Sequence, residues 1–388
     1  MSSGRGNRNA RRMDRLVGVP MLTGLATLRW MGRRSRRESW SPRRICVYCP
    51  GANGDLMLVT SLLHTLATQT NCELLLAVSP ENRHALPLIQ FGQANVVSPI
   101  KKPREAARVL ASESFDTLID THQWSRVAAM LANGNRDVFT IGFQTPHQFR
   151  HFAHDVAIPH LASNHELQNY QSLLQPFELN TQPLPPKLCV AAGENDKTRL
   201  LSERPFAVIH PWAAGYLHTL RQWPSSRWVA LAHWMVDQGW QVYITGGPGD
   251  QEASLELAKS CAHSSVRSLA GELSLAEVGW LLTQSEALVS VNTGIMHLGS
   301  LLNAPTVSLN GPTNPDRWGP TGSRSMNVNP PSGKGGYLHL GFEYPSRPEE
   351  IMSEIELSVV TEAVEKVRMP PSSSASTHSP EDCSCPVN

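Results

Sequence analysis

The sequence predicts an α/β protein made of two doubly wound parallel units. Three observations carry this expectation. Short apolar runs alternate with helical patterns over residues 45–180, the same alternation begins afresh near Arg204, and a Pro-rich stretch at 181–186 (Thr-Gln-Pro-Leu-Pro-Pro) reads as the linker region between them. A chain of 388 residues, 40% hydrophobic, has the size and composition for two ordinary cores.

The first 44 residues stand apart. They hold twelve arginines, no lysine and two acids, Asp14 and Glu38, although the whole chain is only +1. The apolar stretch 16–31 is interrupted by Arg29 and has no small-residue cleavage site after it, so it does not read as a signal peptide. It is also too short and mixed to span a bilayer, which needs about 20 apolar residues. Leu16, Val17, Val19, Met21, Leu22, Leu25, Leu28, Trp30 and Met31 between arginines suit a helix lying on an anionic membrane surface. A basic solvated tail or a nucleic-acid arm is the alternative, but neither gives the apolar residues a purpose. The expectation is therefore a membrane partner and no nucleic acid.

The first unit opens with the strand Arg44-Ile45-Cys46-Val47-Tyr48-Cys49, the turn Pro50-Gly51-Ala52-Asn53-Gly54-Asp55 and a helix beginning at Leu56. Glu73 to Val78, Val96-Val97 and Thr117 to Asp120 read as further strands. Ligands then gather at the strands' carboxyl ends. Gly51 and Gly54 do not complete a dinucleotide fingerprint, because no Gly stands at 53 or 56, and a Walker lysine is absent. Asp55 at a helix start is either a simple dipole-stabilised acid or a carboxylate placed to accept a proton. After Asp120, Gln123 and Arg126 are candidates for binding an acceptor; a helix cap plus a surface arginine is the plain alternative.

The seven cysteines are scattered. Cys46 and Cys49 lie three apart on a strand and so face opposite sides, which argues against a shared metal or disulfide. No Asp-x-Asp, His-Glu-x-x-His or Cys/His array occurs, so no metal and no cofactor is expected.

The second unit repeats the pattern. Phe206 to His210 is a strand with the exit loop Pro211-Trp212-Ala213-Ala214-Gly215. Arg221-Gln222-Trp223-Pro224 leads into a helix over 229–238, and Gln241 to Thr245 ends in Gly246-Gly247-Pro248-Gly249-Asp250. The apolar run 287–291 then meets Asn292-Thr293-Gly294, after which Ile295, Met296, Leu298, Leu301 and Leu302 recur at helical spacing. Strand, tight polar turn and helix start make an anion site, with Thr293 and His297 as further donors; a merely capped crossover is the alternative. A last strand, Thr306 to Leu309, precedes Asn310-Gly311-Pro312-Thr313-Asn314-Pro315.

In this ordered set, residues 43–368 resemble the ADP-heptose:lipopolysaccharide heptosyltransferases (glycosyltransferase family 9). The shared motifs are Gly-Asp in the first turn, a basic residue before Trp-Pro, Gly-Gly-Pro with an acid shortly after, and Thr-Gly-x-x-His followed by Gly-Pro-Thr-x-Pro. The resemblance implies a GT-B fold, two Rossmann-like domains facing across a cleft. It implies Asp55 as general base, Arg221, Thr293, Gly294 and His297 at the donor diphosphate, and Asp250 and Asn292 at the nucleoside and sugar. Family members usually carry Asp where this chain has Asn292, which keeps the hydrogen-bonding shape and loses the charge.

The implied reaction is inverting, metal-independent transfer of a sugar from a nucleotide diphosphate sugar to a lipid-linked glycan, by a monomer at the cytoplasmic face of the membrane. A sugar-nucleotide epimerase or hydrolase of the same architecture, or a binding protein that has lost catalysis, are the competing readings. The expected organisation is an arm over 1–44, domains over 45–185 and 186–345, a closing helix over 346–368 packed back on the first domain, and a disordered tail over 369–388.

Overall fold

The computed structural model describes residues 8–89, 91, 94–97 and 102–369. The expected tail, from 370 onward, and the first seven residues lie outside the described residues.

The arm is one long helix, α1 (Arg8–Glu38), with Pro20 inside it. It is not a separate segment but part of the first domain. Leu22 is fully buried with Ala129 and Ala153, and the Arg29 guanidinium is buried on Asp155 at 2.6 Å. Leu16, Val17, Met21, Leu28 and Trp30 stay exposed, so only part of the stretch expected to meet lipid is turned outward.

The first domain continues with β1 (Arg44–Cys49), α2 (Asn53–Gln69), β2 (Glu73–Val78), β3 (Ala94–Val97), α3 (Pro103–Ser112), β4 (Thr117–Asp120), α4 (Arg126–Ala132), β5 (Phe139–Gln144), β6 (Val156–Pro159) and α5 (Glu166–Ser172). The six strands form one parallel sheet in the order β3-β2-β1-β4-β5-β6. Near-continuous apolar runs suit such strands because helices cover both faces. Cys46 and Cys49 do fall in different apolar clusters, one on each face of the sheet.

The Pro-rich segment is not a free linker. Leu184 N donates to Thr65 Oγ1 at 2.8 Å and the His64 ring bonds Pro185 O at 2.9 Å, so the chain is stitched along α2.

The second domain contains α6 (Asp196–Leu201), β7 (Phe206–His210), α7 (Ser225–Asp237), β8 (Gln241–Ile244), α8 (Gln251–Cys261), β9 (Val266–Ser268), α9 (Leu275–Gln284), β10 (Ala287–Val291), α10 (Gly294–Leu301), β11 (Thr306–Leu309), α11 (Pro315–Trp318), β12 (Ser325–Val328) and α12 (Leu357–Arg368). Its six strands are also parallel, in the order β12-β11-β10-β7-β8-β9.

Each sheet therefore reverses its winding once, between β1 and β4 and between β7 and β10, and these switch points are where such folds hold ligands. The helix expected to close back on the first domain does not. α12 buries Val360, Ala363, Val364 and Val367 in the second domain's own core, with Trp228, Val307 and Val328. Its apolar stripe matches that sheet's face, which would otherwise be bare.

The domains meet through apolar packing beside the cleft. The 3-10 turn Pro80–Leu88 lies against α9, where a Cβ on Gly279 would stand 3.5 Å from Leu88 Cδ2.

Candidate active site

The turn after β1 places Asp55 in the first turn of α2. Its Oδ2 accepts from Ala52 N at 2.8 Å; its Oδ1 accepts from Gln123 Nε2 at 3.1 Å and from the Tyr170 hydroxyl at 2.8 Å. Gln123 and Tyr170 also bond one another. The carboxylate is 3% exposed and held in one orientation. Gly51 is needed for this approach, because a Cβ there would stand 2.8 Å from Asp55 Oδ2. Asn82 fixes the turn from behind, donating to Gly51 O at 3.0 Å.

Gln123, expected at the acceptor side, is thus a partner of Asp55. Tyr170, on α5, was not anticipated; a single tyrosine among mixed residues carries no local signal of a site. Arg126 is not open to the cleft. It is buried and pairs with Asp14 of α1 at 2.9 Å.

Across the cleft, the turn after β10 presents Thr293 as the N-cap of α10 and Gly294 as its first residue. The two domains touch here. A Cβ on Gly54 would lie 3.0 Å from His297 Cδ2, and one on Gly294 would lie 3.4 Å from Gly54 N. The amino ends of α2 and α10 therefore face each other, and both are positive dipole ends with free N–H groups. His297 is buried, which pushes its pKa down to about 3; His165 lowers it further and Asp55 opposes this. Its ring is neutral near pH 7 and can act through one N–H, not as a cation. The Trp318 ring packs edge-on to it at 6.4 Å.

The remaining donor-side candidates lie on neighbouring strand ends. Arg221, in the 3-10 turn His218–Arg221, donates to Ala214 O in the exit loop of β7 and bonds the Tyr344 side chain. Asp250 caps the loop after β8, accepting from Gly247 N at 2.8 Å. The order β10-β7-β8 sets the loops bearing Thr293, Arg221 and Asp250 side by side.

Asn292 donates through Nδ2 to Asn310 Oδ1 at 2.7 Å and to Trp318 O at 2.8 Å. Behind it, Asn310 Nδ2 donates to Ser308 O and Asn327 Oδ1. Among the described residues no group of three or more His, Cys, Asp or Glu is placed to hold a metal ion.

A second interdomain contact was not foreseen. Glu166 of α5 is fully buried and pairs with Arg317 of α11 at 2.8 Å and with His160 at 2.9 Å, and the His165 ring meets Gly319 O at 2.9 Å.

Two Rossmann-ordered sheets facing at their switch points, with a seated carboxylate on one wall and a helix amino end on the other, define a GT-B architecture. Residues 104–335 match the sequence model of glycosyltransferase family 9 (heptosyltransferase), and the chain belongs to that family. It is 33% identical over 157 residues to lipopolysaccharide heptosyltransferase 2 of Escherichia coli, a match covering 39% of this chain and 43% of that protein. The aligned stretch thus spans less than half the length of that curated relative. Among solved structures, E. coli ADP-heptose lps heptosyltransferase II superposes with a TM-score of 0.69 at 22% identity, over 84% of this chain and 98% of that one. E. coli heptosyltransferase WaaC with ADP gives 0.63 at 18% identity, over 84% and 99%. At these identities the likeness is one of fold.

Proposed function

We propose that this chain is an inverting, metal-independent heptosyltransferase that moves a heptose from ADP-heptose to a hydroxyl of a lipopolysaccharide core. The observation that carries the reading is the seat of Asp55: a buried, oriented carboxylate on the turn whose preceding residue, Gly54, abuts the amino end of α10.

In this reaction the acceptor oxygen attacks the anomeric carbon from the face opposite the diphosphate. The carbon–oxygen bond to the diphosphate breaks, and Asp55 takes the acceptor's proton. Such a base contributes about 10²–10⁴-fold. The leaving diphosphate gains charge facing the N–H groups of Thr293 and Gly294, with the His297 ring N–H and the Arg221 guanidinium as further donors. Asp250 would hold the nucleoside, and Asn292 would shape the sugar pocket. The acceptor enters on the Gln123 side. The exposed apolar residues of α1, among arginines, support association with the cytoplasmic face of an anionic membrane, where a lipid-linked acceptor lies. No helix among the described residues is long and apolar enough to cross a membrane.

The test is ADP release from ADP-heptose with and without a heptose-free lipopolysaccharide core. Acceptor-dependent release supports transfer; equal release without acceptor points to a hydrolase. Asp55→Asn should abolish transfer and leave ADP affinity in place, and normal turnover in that variant would remove Asp55 from the base role.

A further inference from the structure

We propose that Asp14 is a positioning residue for the acceptor wall, so that α1 completes the active site rather than only attaching the protein to a surface. The inference rests on the transferase reading above and deepens it.

Asp14 Oδ1 accepts from the backbone N–H groups of Arg126 and Val127 at 3.0 and 3.2 Å, and its Oδ2 pairs with Arg126 Nη1 at 2.9 Å. A residue more than a hundred positions away thus caps the first turn of α4. The two side chains are 9% and 5% exposed, so the pair is held out of water. Four residues on, a Cβ on Gly18 would stand 2.7 Å from Arg126 Cβ, so α1 backbone lies directly on this arginine. Arg126 Nη2 also reaches His147 O at 3.3 Å.

What Asp14 holds is the arc from Asp120 to Ser125, which has Gln123 near its middle. The arc is bonded to itself: Asp120 Oδ1 accepts from His122 N, and His122 Nδ1 accepts from Trp124 N and Ser125 N. Its β4 end is fixed by the buried Asp120–Arg150 ion pair. Its α4 end is held by Asp14 together with Arg150 Nε, which donates to Ser125 O at 3.3 Å, and the Ser125 Oγ cap on Ala128 N at 3.2 Å. Gln123 then reaches Asp55 at 3.1 Å. A clamp at both ends sets where that amide points, and hence how the base is oriented. α1 is itself anchored by Arg29 and Arg36 on Asp155, at 2.6 and 2.7 Å.

The experiment uses the full chain with Asp14→Ala and Asp14→Asn, ADP-heptose, and a heptose-free lipopolysaccharide core. Misplacing a reacting group by about 1 Å can cost on the order of 10²-fold, so Asp14→Ala should lower kcat by about ten- to a hundredfold and raise the acceptor KM. ADP affinity, set in the other domain, should not change. Asn keeps an oxygen for the two backbone donors but sets its NH2 against Arg126 Nη1, so it should recover part of kcat and fall between Ala and wild type. Hydrogen exchange reads the clamp without turnover: amides of 121–127 should exchange faster in Asp14→Ala, and those of 293–301 should not. Wild-type kcat, acceptor KM and exchange in Asp14→Ala would overturn the proposal, as would a parallel loss of ADP affinity. If the wild type shows no acceptor-dependent release, the transferase reading falls, and exchange at 121–127 still decides the role of Asp14.

Discussion

Asn292 shows how one atom can account for a departure from a family pattern. Its Nδ2 faces two oxygens, and Trp318 O can only accept. The usual Asp would set a carboxylate against that carbonyl and against the Asn310 oxygen, which would keep only the Ser308 hydroxyl as a donor, at 3.1 Å. Asn310 cannot simply turn over, because its own Nδ2 already donates to Ser308 O and Asn327 Oδ1. Asn292→Asp should therefore destabilise the fold by about 1–3 kcal/mol at pH 7, the usual loss for a buried group left unsatisfied. A protonated acid can donate one bond, so the deficit should shrink as pH falls toward 5. Melting temperatures at the two pH values check this, and a deficit that grows on acidification would contradict it. At this scale the sequence was informative where chemistry is local. The place of Asp55 at a helix start could be read from a Gly-rich turn, and that of Thr293-Gly294 from a strand running into a helix. Tyr170 could not be, nor could the true partner of Arg126, because each depends on a residue over a hundred positions away.

The same division holds for elements. β1, β2, β3, β4, β7, β8, β10 and β11 were visible as apolar runs bounded by turns. β5 and β6 were not: a Gly interrupts the first and a Pro ends the second. α12 was visible as an amphipathic stripe, but a stripe does not say which sheet it covers. α1 is the most instructive case. Arg29 read as an interruption of an apolar stretch, whereas it is the buried pin that docks the helix on Asp155. Burying that arginine is tolerable only because the carboxylate compensates it, so cutting the arm away would strand Asp155 and test nothing about lipid. The outward residues give the cleaner test. Val17, Met21 and Leu28 follow one edge of the helix at intervals of four and seven, and all are exposed. Each contributes up to about 1.5–3 kcal/mol if fully buried in the interface. Wild type should float with vesicles containing phosphatidylglycerol, and a Val17→Ser/Met21→Ser/Leu28→Ser variant should remain in solution with its melting temperature unchanged. Equal flotation of the two would leave this edge without a role at the membrane.

At the scale of the molecule, the question is whether the two domains behave as one. An apolar cluster runs without a break from Leu56 and Leu88 in the first domain to Ala276, Leu281 and Leu298 in the second. Beside it sits the buried trio His160, Glu166 and Arg317. Burial alone would raise the Glu166 pKa, but His160 and Arg317 outweigh it and hold the group below its ordinary value of 4.5. A carboxyl whose folded pKa is depressed stabilises the folded state fully above its unfolded pKa, and that contribution is lost as pH falls through the folded value. The domain contact should thus be intact at pH 7 and weaken below about 4.5. Removing the charge should bring the same change at neutral pH. In Glu166→Gln, Arg317 stays buried without its counter-charge, a cost on the order of 3–5 kcal/mol for breaking a buried pair. Scanning calorimetry at pH 7 should show one transition for wild type. The variant should melt earlier and in two resolved steps, because the strain falls on the contact between domains and not within either core. A single transition at the wild-type temperature would mean that the apolar cluster alone couples the halves, and that the trio merely fills the interface.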